Sequence, residues 1–366
     1  MTFPNNFVEI DFLAVESGKS GDAITIRSAV NGSQVITVVD GGFTDMGETI
    51  VKHLQDNYDD PAYIHNVVLT HPDGDHAKGL KFVLENVLVA HLWMNRPWLY
   101  VSELLPKFKN CTSADWLRNK LRSEYSNVAD LEDIANERRI PIMEAFPGTS
   151  IGHFTVLAPS KQRYLDLIVS SDRTPEPAAA SAYDFMKALS SLTETIARAA
   201  INLVKAAWGV ETFSASDTSS ENDMSLVQYA DFGGVKFLLT GDAGRGTLSE
   251  AADYATYLGV ILPGIDRFQV PHHGSRRNVS TEVLDRWLGT RLSSPVPAGS
   301  ETFQAFISSA AADPDHPRKA VERAIHHRGG KVYATEGASI RTGWNAPERA
   351  GWTSATSRPY PEEQEQ

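Results

Sequence analysis

The chain predicts an α/β protein with layered sheets. Two observations carry that expectation. Short apolar, β-branched runs alternate with stretches of helical spacing. Four of the strand-like runs also end in Asp or His beside small residues, and strand ends are where loops converge to build sites.

The elements follow in order. VITVVD (35–40) reads as a buried strand ending in the turn Gly41-Gly42. VVLT (67–70) is a second strand, ending at His71. GLKFVLEN (79–86) has helical spacing, and VLVAHLWM (87–94) is strand-like again. FTVLAP (154–159), SLVQYAD (225–231), VKFLLT (235–240) and RFQV (267–270) follow as strands. A helix over 317–328 and a strand over 331–335 come near the end. Two segments break the rhythm, about 95–145 and about 160–220, and both read as helical insertions on a single domain over 1–345. The second contains the amphipathic stretch TPEPAAASAYDFMKALSSLTETIARAAINLVKAAW, either a packing or dimer helix or a lid over an active site. Residues 346–366 read as a polar tail, frayed at its end.

The 366 residues are 42% hydrophobic and 22% charged, an ordinary globular balance. A single cysteine, Cys111, excludes an internal disulfide and a Cys-rich zinc site, and suits a reducing cytosol. The N-terminus lacks the pattern of a signal peptide, and no apolar run nears the ~18 residues of a membrane span. A soluble, cytoplasmic protein with no membrane partner is expected. Lys plus Arg is 34 against 46 for Asp plus Glu, giving −12. That balance repels nucleic acid at long range, although a metal site or a local basic patch reverses it locally.

The densest chemistry lies in VVLTHPDGDHAKGL (67–80). His71, Asp73, Asp75 and His76 fall within six positions, and Pro72 and Gly74 favour a tight loop that can aim several side chains at one place. His and Asp together suit borderline or hard divalent ions. The bland alternative is a polar turn with Asp75 capping a helix. Other strand ends repeat the signal: Asp40 closes VITVVD, Asp242 follows LLTG, and His272 and His273 follow RFQVP.

In this order the motifs resemble the metallo-β-lactamase fold superfamily in its HxDxDH variant, and above all the soluble hydrolase domain of ComEC-type competence proteins, which take up DNA. The resemblance rests on FLAVESGKSGDAITI, VVDGG, LTHPDGDHAKGL, ENDMSLV, FLLTGDAG, VPHHGS and DHPRKAVERAIHHRGGKVYAT, and covers most of residues 7–345. It implies an αββα sandwich and two divalent metal ions. His71 and Asp73 would bind one. Asp75, His76 and one of His272 and His273 would bind the other, with Asp242 bridging. His273 is the favoured ligand and His272 a donor to substrate phosphate. Asp75 or His272 would move protons. Asp40 would support the loop from behind the ligands. His316, on a late HP motif, would touch substrate or metal. Asn222 or Asp223 would complete the first metal site, or else cap a turn.

Asp73 stands where zinc β-lactamases carry a His, which moves preference from Zn²⁺ toward Mn²⁺ or Mg²⁺, while affinity order alone still favours Zn²⁺. Arg276 and Arg277, straight after HHGS, are placed to grip phosphate. His53, His65, His91 and His153 lack ligand context and read as structural. Arg318, Lys319, Arg323, His326, His327 and Arg328 form either a solvated helix face or a basic edge that tracks a phosphate backbone. The function expected is a metal-dependent phosphodiesterase, and by resemblance a nuclease acting on DNA or RNA. Its rivals are a small-molecule phosphodiesterase, esterase or lactonase of the same fold, and a regulatory binding protein with a degenerate site. A homodimer or a regulatory protein partner is compatible with each.

Overall fold

The structure is a computed structural model that describes residues 3–178 and 203–365. Two seven-stranded sheets dominate it. The first runs, in spatial order, Ile340–Trp344, Phe7–Phe12, Ala23–Val30, Ser33–Gly41, Ile64–Val68, Val89–Trp93 and Ile142–Met143. The second runs Gly330–Ala334, Phe303–Ile307, Arg267–Gln269, Val235–Leu239, Val227–Phe232, Phe154–Ala158 and Ser150–Ile151. In each sheet four strands from one edge inward share one style of pairing and the rest the other. The first is antiparallel from Ile340–Trp344 to Ser33–Gly41 and parallel beyond. The second is parallel from Gly330–Ala334 to Val235–Leu239 and antiparallel beyond.

Side-chain alternation stacks these sheets into a four-layer sandwich. Val8, Ile10 and Phe12 of one sheet share a buried cluster with Phe154, Val156, Phe237 and Leu239 of the other, so each sheet turns one face inward. The opposite face of the first sheet buries Val38, Val67 and Leu92 against helices Met46–Asn57 and Gly74–Asn86. The opposite face of the second buries Leu238, Phe268 and Val332 against helices Arg245–Tyr257, Thr281–Leu288 and Lys319–His326. The α/β class and the αββα layering expected from the sequence are therefore what the chain forms.

The first insertion is helical, with Ala114–Glu124 and Ser126–Arg138 contributing Leu117, Leu121, Val128 and Leu131 to the core outside the first sheet. Of the second, helix Lys161–Ser170, strand Leu203–Lys205 and the short helix Ser220–Asp223 are described. Most of the amphipathic stretch expected to be a packing helix or lid lies outside the described residues. No described helix is long and apolar enough to cross a membrane.

Two expectations are corrected. The tail is docked where fraying was expected. Glu363–Glu365 pairs with Leu203–Lys205, and the Glu365 carboxylate accepts the N–H groups of Lys319 and Ala320 at 3.0 Å each. A carboxylate there satisfies the unpaired N–H groups and the positive end of helix Lys319–His326. That helix, in turn, is neither a solvated face nor a basic edge. Arg323 is wholly buried, donating to the carbonyls of Pro361, Ala206 and Ala207. Arg328 is buried against Glu211 and Asp285, at 2.6 and 2.7 Å, and His327 lies 3.1 Å from Glu211. These side chains hold the 206–211 segment and the neighbouring helix together.

Glu211 carries a pH signature. Burial alone would raise its carboxyl, but His327, Arg328 and the Thr281 hydroxyl bring it from 4.5 down to about 2. A depressed carboxyl contributes stability that is full above pH 4.5 and is lost as pH falls toward 2. Glu211→Gln should therefore lower stability at neutral pH by about 2–3 kcal/mol. It should also flatten the loss of stability below pH 4.5, as read by urea midpoints at neutral pH and in acid.

Candidate metal centre

The centre forms where loops leave the strand ends of both sheets. Asp40, at the end of Ser33–Gly41, holds a left-handed backbone with φ of 57°. Its Oδ1 accepts the Thr70 N–H at 2.8 Å, and its Oδ2 accepts the Thr70 hydroxyl at 2.6 Å. The same Oδ2 lies 2.7 Å from His76 Nδ1. One carboxylate thus ties the end of the neighbouring strand to the first turn of helix Gly74–Asn86.

That helix can come so close because of Gly79. A Cβ there would sit 1.9 Å from the Gly41 carbonyl oxygen, well inside contact distance. The Gly79 N–H instead donates to the Gly42 carbonyl at 3.2 Å. Asp242 enters from the second sheet, its N–H held by Ser225 Oγ at 3.0 Å. His272 and His273 follow in left-handed conformations, with φ of 49° and 54°. Such backbone in non-glycine residues is costly and gathers at functional sites.

Asp242 lies at the middle. Its Oδ1 is 3.3 Å from His76 Nε2 and 4.0 Å from His273 Nε2. Its Oδ2 is 3.7 Å from His71 Nε2 and 3.6 Å from His272 Nε2. Asp75 Oδ2 stands 3.6 Å from His273 Nε2. The back of every ring meets an oxygen. His71 Nδ1 is 3.1 Å from Thr70 Oγ1, His272 Nδ1 is 2.9 Å from Asn278 Oδ1, and His273 Nδ1 is 2.8 Å from the Ser308 carbonyl. With His76 on Asp40, each of the four rings is held from its Nδ1 side and leaves Nε2 turned toward the centre.

Those inward atoms have no protein partner. The buried Nε2 atoms of His71, His76 and His273 make no hydrogen bond, nor do Asp242 Oδ1 and Asp22 Oδ1. Buried polar atoms are almost always paired, so five unpaired ones on neighbouring residues form an arrangement that a cation would satisfy. Imidazole nitrogen and carboxylate oxygen are donors that divalent ions take. Asp75, His76 and His273 form one group that could hold an ion, and Asp22, Asp242 and His273 form another. A third, Asp40, His71 and His76, uses a carboxylate whose oxygens Thr70 and His76 Nδ1 already engage.

Electrostatics follow the geometry. Burial alone would raise the Asp242 carboxyl, but His272, His76 and His273 hold it well below the usual range. Burial alone would lower His76, yet the Asp242 and Asp40 carboxylates take it well above the usual imidazole value. Burial likewise opposes His273, which Asp242, Asp75 and Asp22 push up to about 9. The carboxylates draw positive charge into the centre.

The structure brings together His71, Asp75, His76, Asp242, His272 and His273, with Asp40 behind them. His316 is adjacent, its ring 5.4 Å from that of His272 and its Nδ1 3.3 Å from Asp313. Asn222 also adjoins His272, with Nδ2 at 3.2 Å from Nδ1. Asp73 stands at the mouth, and its Oδ1 accepts from Arg173 at 2.7 Å. Asp223 does not face the centre: its Oδ1 takes the N–H groups of Gly244 and Thr247, and its Oδ2 pairs with Arg163. With both oxygens so engaged it fastens helix Arg245–Tyr257, close to the turn-capping alternative. Arg276 is half-buried with Nη1 3.4 Å from the Thr212 carbonyl, and Arg277 is exposed. The structural histidines lie elsewhere: His53 is 2.9 Å from Asp11, and His153 is 2.9 Å from Ser28.

Three residues of the centre escaped the sequence reading. Asp22 is buried, and its Oδ2 accepts from Gln269 Nε2 at 3.0 Å. Its only trace was the Gly21-Asp22-Ala23 turn. Gln269 also accepts the Thr240 N–H at 2.8 Å, and Asn278 donates to the Asp242 carbonyl at 2.7 Å. Side chains that brace a site carry no motif of their own.

No family model matches the chain, and no curated protein does. Solved structures of similar course do. Zn(2+)-bound PqqB from Methylobacterium extorquens is 11% identical, covering 91% of this chain and 99% of that one with a TM-score of 0.40. The hydrolase AbOPH of the beta lactamase superfamily is 10% identical, over 91% and 88%, at 0.32. The metallo-beta-lactamase SMB-1 bound to 2-mercaptoethanesulfonate is 8% identical, over 71% and 77%, at 0.26. Identities and scores of this size assign neither ligands nor substrate.

Asp40 is expected to act through His76. Asp40→Asn puts an N–H against Nδ1 and removes the charge that aims the ring. Zn²⁺ affinity should fall by about 10–100-fold, read by competition with a chromophoric chelator, while the circular dichroism of the fold is retained.

Proposed function

We propose that the protein is a binuclear metal-dependent hydrolase of the metallo-β-lactamase fold that cleaves phosphodiesters. The observation that carries this is the set of buried, unpaired nitrogen and oxygen atoms around Asp242. His71 and Asp73 would hold one ion, and Asp75, His76 and His273 the other, with the two oxygens of Asp242 turned one to each side. Asp22, beside His273, adds an oxygen donor that the sequence did not suggest. The donor set suits Zn²⁺ or Mn²⁺, with Mg²⁺ admitted by its many carboxylates. When bound, such ions supply an acidified water and polarise the phosphoryl group.

The chain's own residues do the rest. Asn278 fixes the His272 ring so that Nε2 faces the centre, and His272 is the most exposed of the four imidazoles, at 22%. It is placed to donate to a phosphoryl or leaving oxygen. Asp75, more exposed still, is placed to accept a proton. His316 and Asn222 flank His272 on the substrate side. No thiol or serine nucleophile is required.

The polymer reading, DNA or RNA, rests on the HxDxDH resemblance and on Arg276 and Arg277, which follow His273 closely in sequence. A second reading, a small phosphodiester, ester or lactone, is favoured by the burial of Arg323 and Arg328 and by the net charge of −12, which remove the basic track a long strand would follow. A single cysteine suits a reducing cytoplasm.

Single-stranded DNA, double-stranded DNA, RNA and a chromogenic phosphodiester are to be offered with Mn²⁺, Mg²⁺ or Zn²⁺. Metal-dependent cutting is expected, lost by at least about 100-fold in Asp242→Asn. Turnover of the small ester alone selects the second reading. Protein that takes up two ions and turns over none of these substrates overturns the phosphodiesterase assignment and leaves a binding role.

A further inference from the structure

Arg173 belongs to the second insertion, and it reaches a residue 100 positions away in the HPDGDH loop. Its Nη2 lies 2.7 Å from Asp73 Oδ1, and its Nε lies 3.7 Å from Glu221 Oε1. Its Nη1 has no acceptor among the described residues. The side chain remains 39% exposed, so it stands at the mouth rather than in the core.

The backbone beneath it is firmly placed. The Ser171 hydroxyl pairs with Glu221 and also accepts the Arg173 N–H at 3.0 Å. The Thr174 hydroxyl donates to the Ile168 carbonyl at 2.7 Å. Further on, Lys109 N–H donates to Glu176 and Ala178 N–H to Lys107, at 2.8 and 2.7 Å. The segment after helix Lys161–Ser170 is thereby stitched to the first insertion, and the guanidinium is presented from a fixed base.

Charge gives this cation a task. Asp22, Asp40, Asp75 and Asp242 gather at the centre, Asp73 stands at its mouth, and Glu221 lies beside Arg173. At the mouth Asp73 is part-exposed, whereas Glu221 is buried. Other nearby guanidiniums are committed: Arg163 to Asp223 and Thr247, and Arg245 to the carbonyls of Val279, Ser214 and Arg276. Arg173 pairs with Asp73, lies beside the buried Glu221, and still offers a planar edge, the shape that matches two phosphoryl oxygens.

We propose that Arg173 is a substrate-binding residue that grips the non-bridging oxygens of a phosphoryl group bound on the His71–Asp73 side. The assignment rests on the phosphodiester reading above and names a residue through which the described part of the insertion meets the substrate.

The test is calorimetric binding of inorganic phosphate to the Zn²⁺-loaded full chain, for wild type, Arg173→Ala and Arg173→Lys. Zinc content and affinity are followed in parallel. Arg173→Ala should weaken phosphate binding by about tenfold or more, with partial recovery in Arg173→Lys and zinc affinity unchanged within about twofold. Unchanged phosphate affinity, or no phosphate binding to the wild type, overturns the assignment. A loss of phosphate binding that only tracks a loss of zinc also overturns it, and makes Arg173 a support for Asp73 instead. Turnover of the chromogenic phosphodiester is measured separately. Phosphate binding that depends on Arg173 in a protein without turnover sinks the hydrolase reading while the assignment stands.

Discussion

A buried carboxylate, Asp242, is held between four imidazole nitrogens, none of which satisfies it with a hydrogen bond to its Oδ1. Leaving such groups unpaired inside a protein costs free energy that folding alone does not return. The arrangement persists because everything behind it is satisfied. Thr70, Asp40, Asn278 and the Ser308 carbonyl each occupy the outer nitrogen of one ring. The cost is concentrated at one point, where a bound cation would offset it.

Both sheets are needed to make that point. The first supplies Asp40, His71, Asp75 and His76 through two strand ends and one helix start. The second supplies Asp242, His272 and His273 through its parallel strands. The closeness of helix and strand depends on Gly79 against Gly41, a contact no larger residue permits. Braces then cross between the layers: Gln269 of the second sheet holds Asp22, which follows a loop of the first. A disturbance in either sheet reaches the same few atoms.

Burial of cations also shapes what the protein can recognise. Arginines 323 and 328, which in sequence look like a basic helix face, are spent on carbonyls and carboxylates inside. Beside the centre, Arg173 keeps part of its side chain exposed at Asp73. Recognition of an anion is thereby a local matter at the mouth.

The ligand loop, its companions at other strand ends and the layered class were legible because each is a local signal. A strand ends, a small residue follows, and an Asp or His appears. Strands such as Phe303–Ile307 and Ile340–Trp344 were not, since five residues with polar neighbours give little periodicity. Asp223 sits in the same kind of local context as true centre residues, yet its oxygens are taken by Arg163, Gly244 and Thr247. The sequence by itself determined which donor types are available and the order in which they arrive. Only the tertiary structure decided which of them converge, because convergence depends on packing between residues tens to hundreds of positions apart. It also decided which charges face inward, because a cation's direction is set by the carboxylates and carbonyls that fold around it.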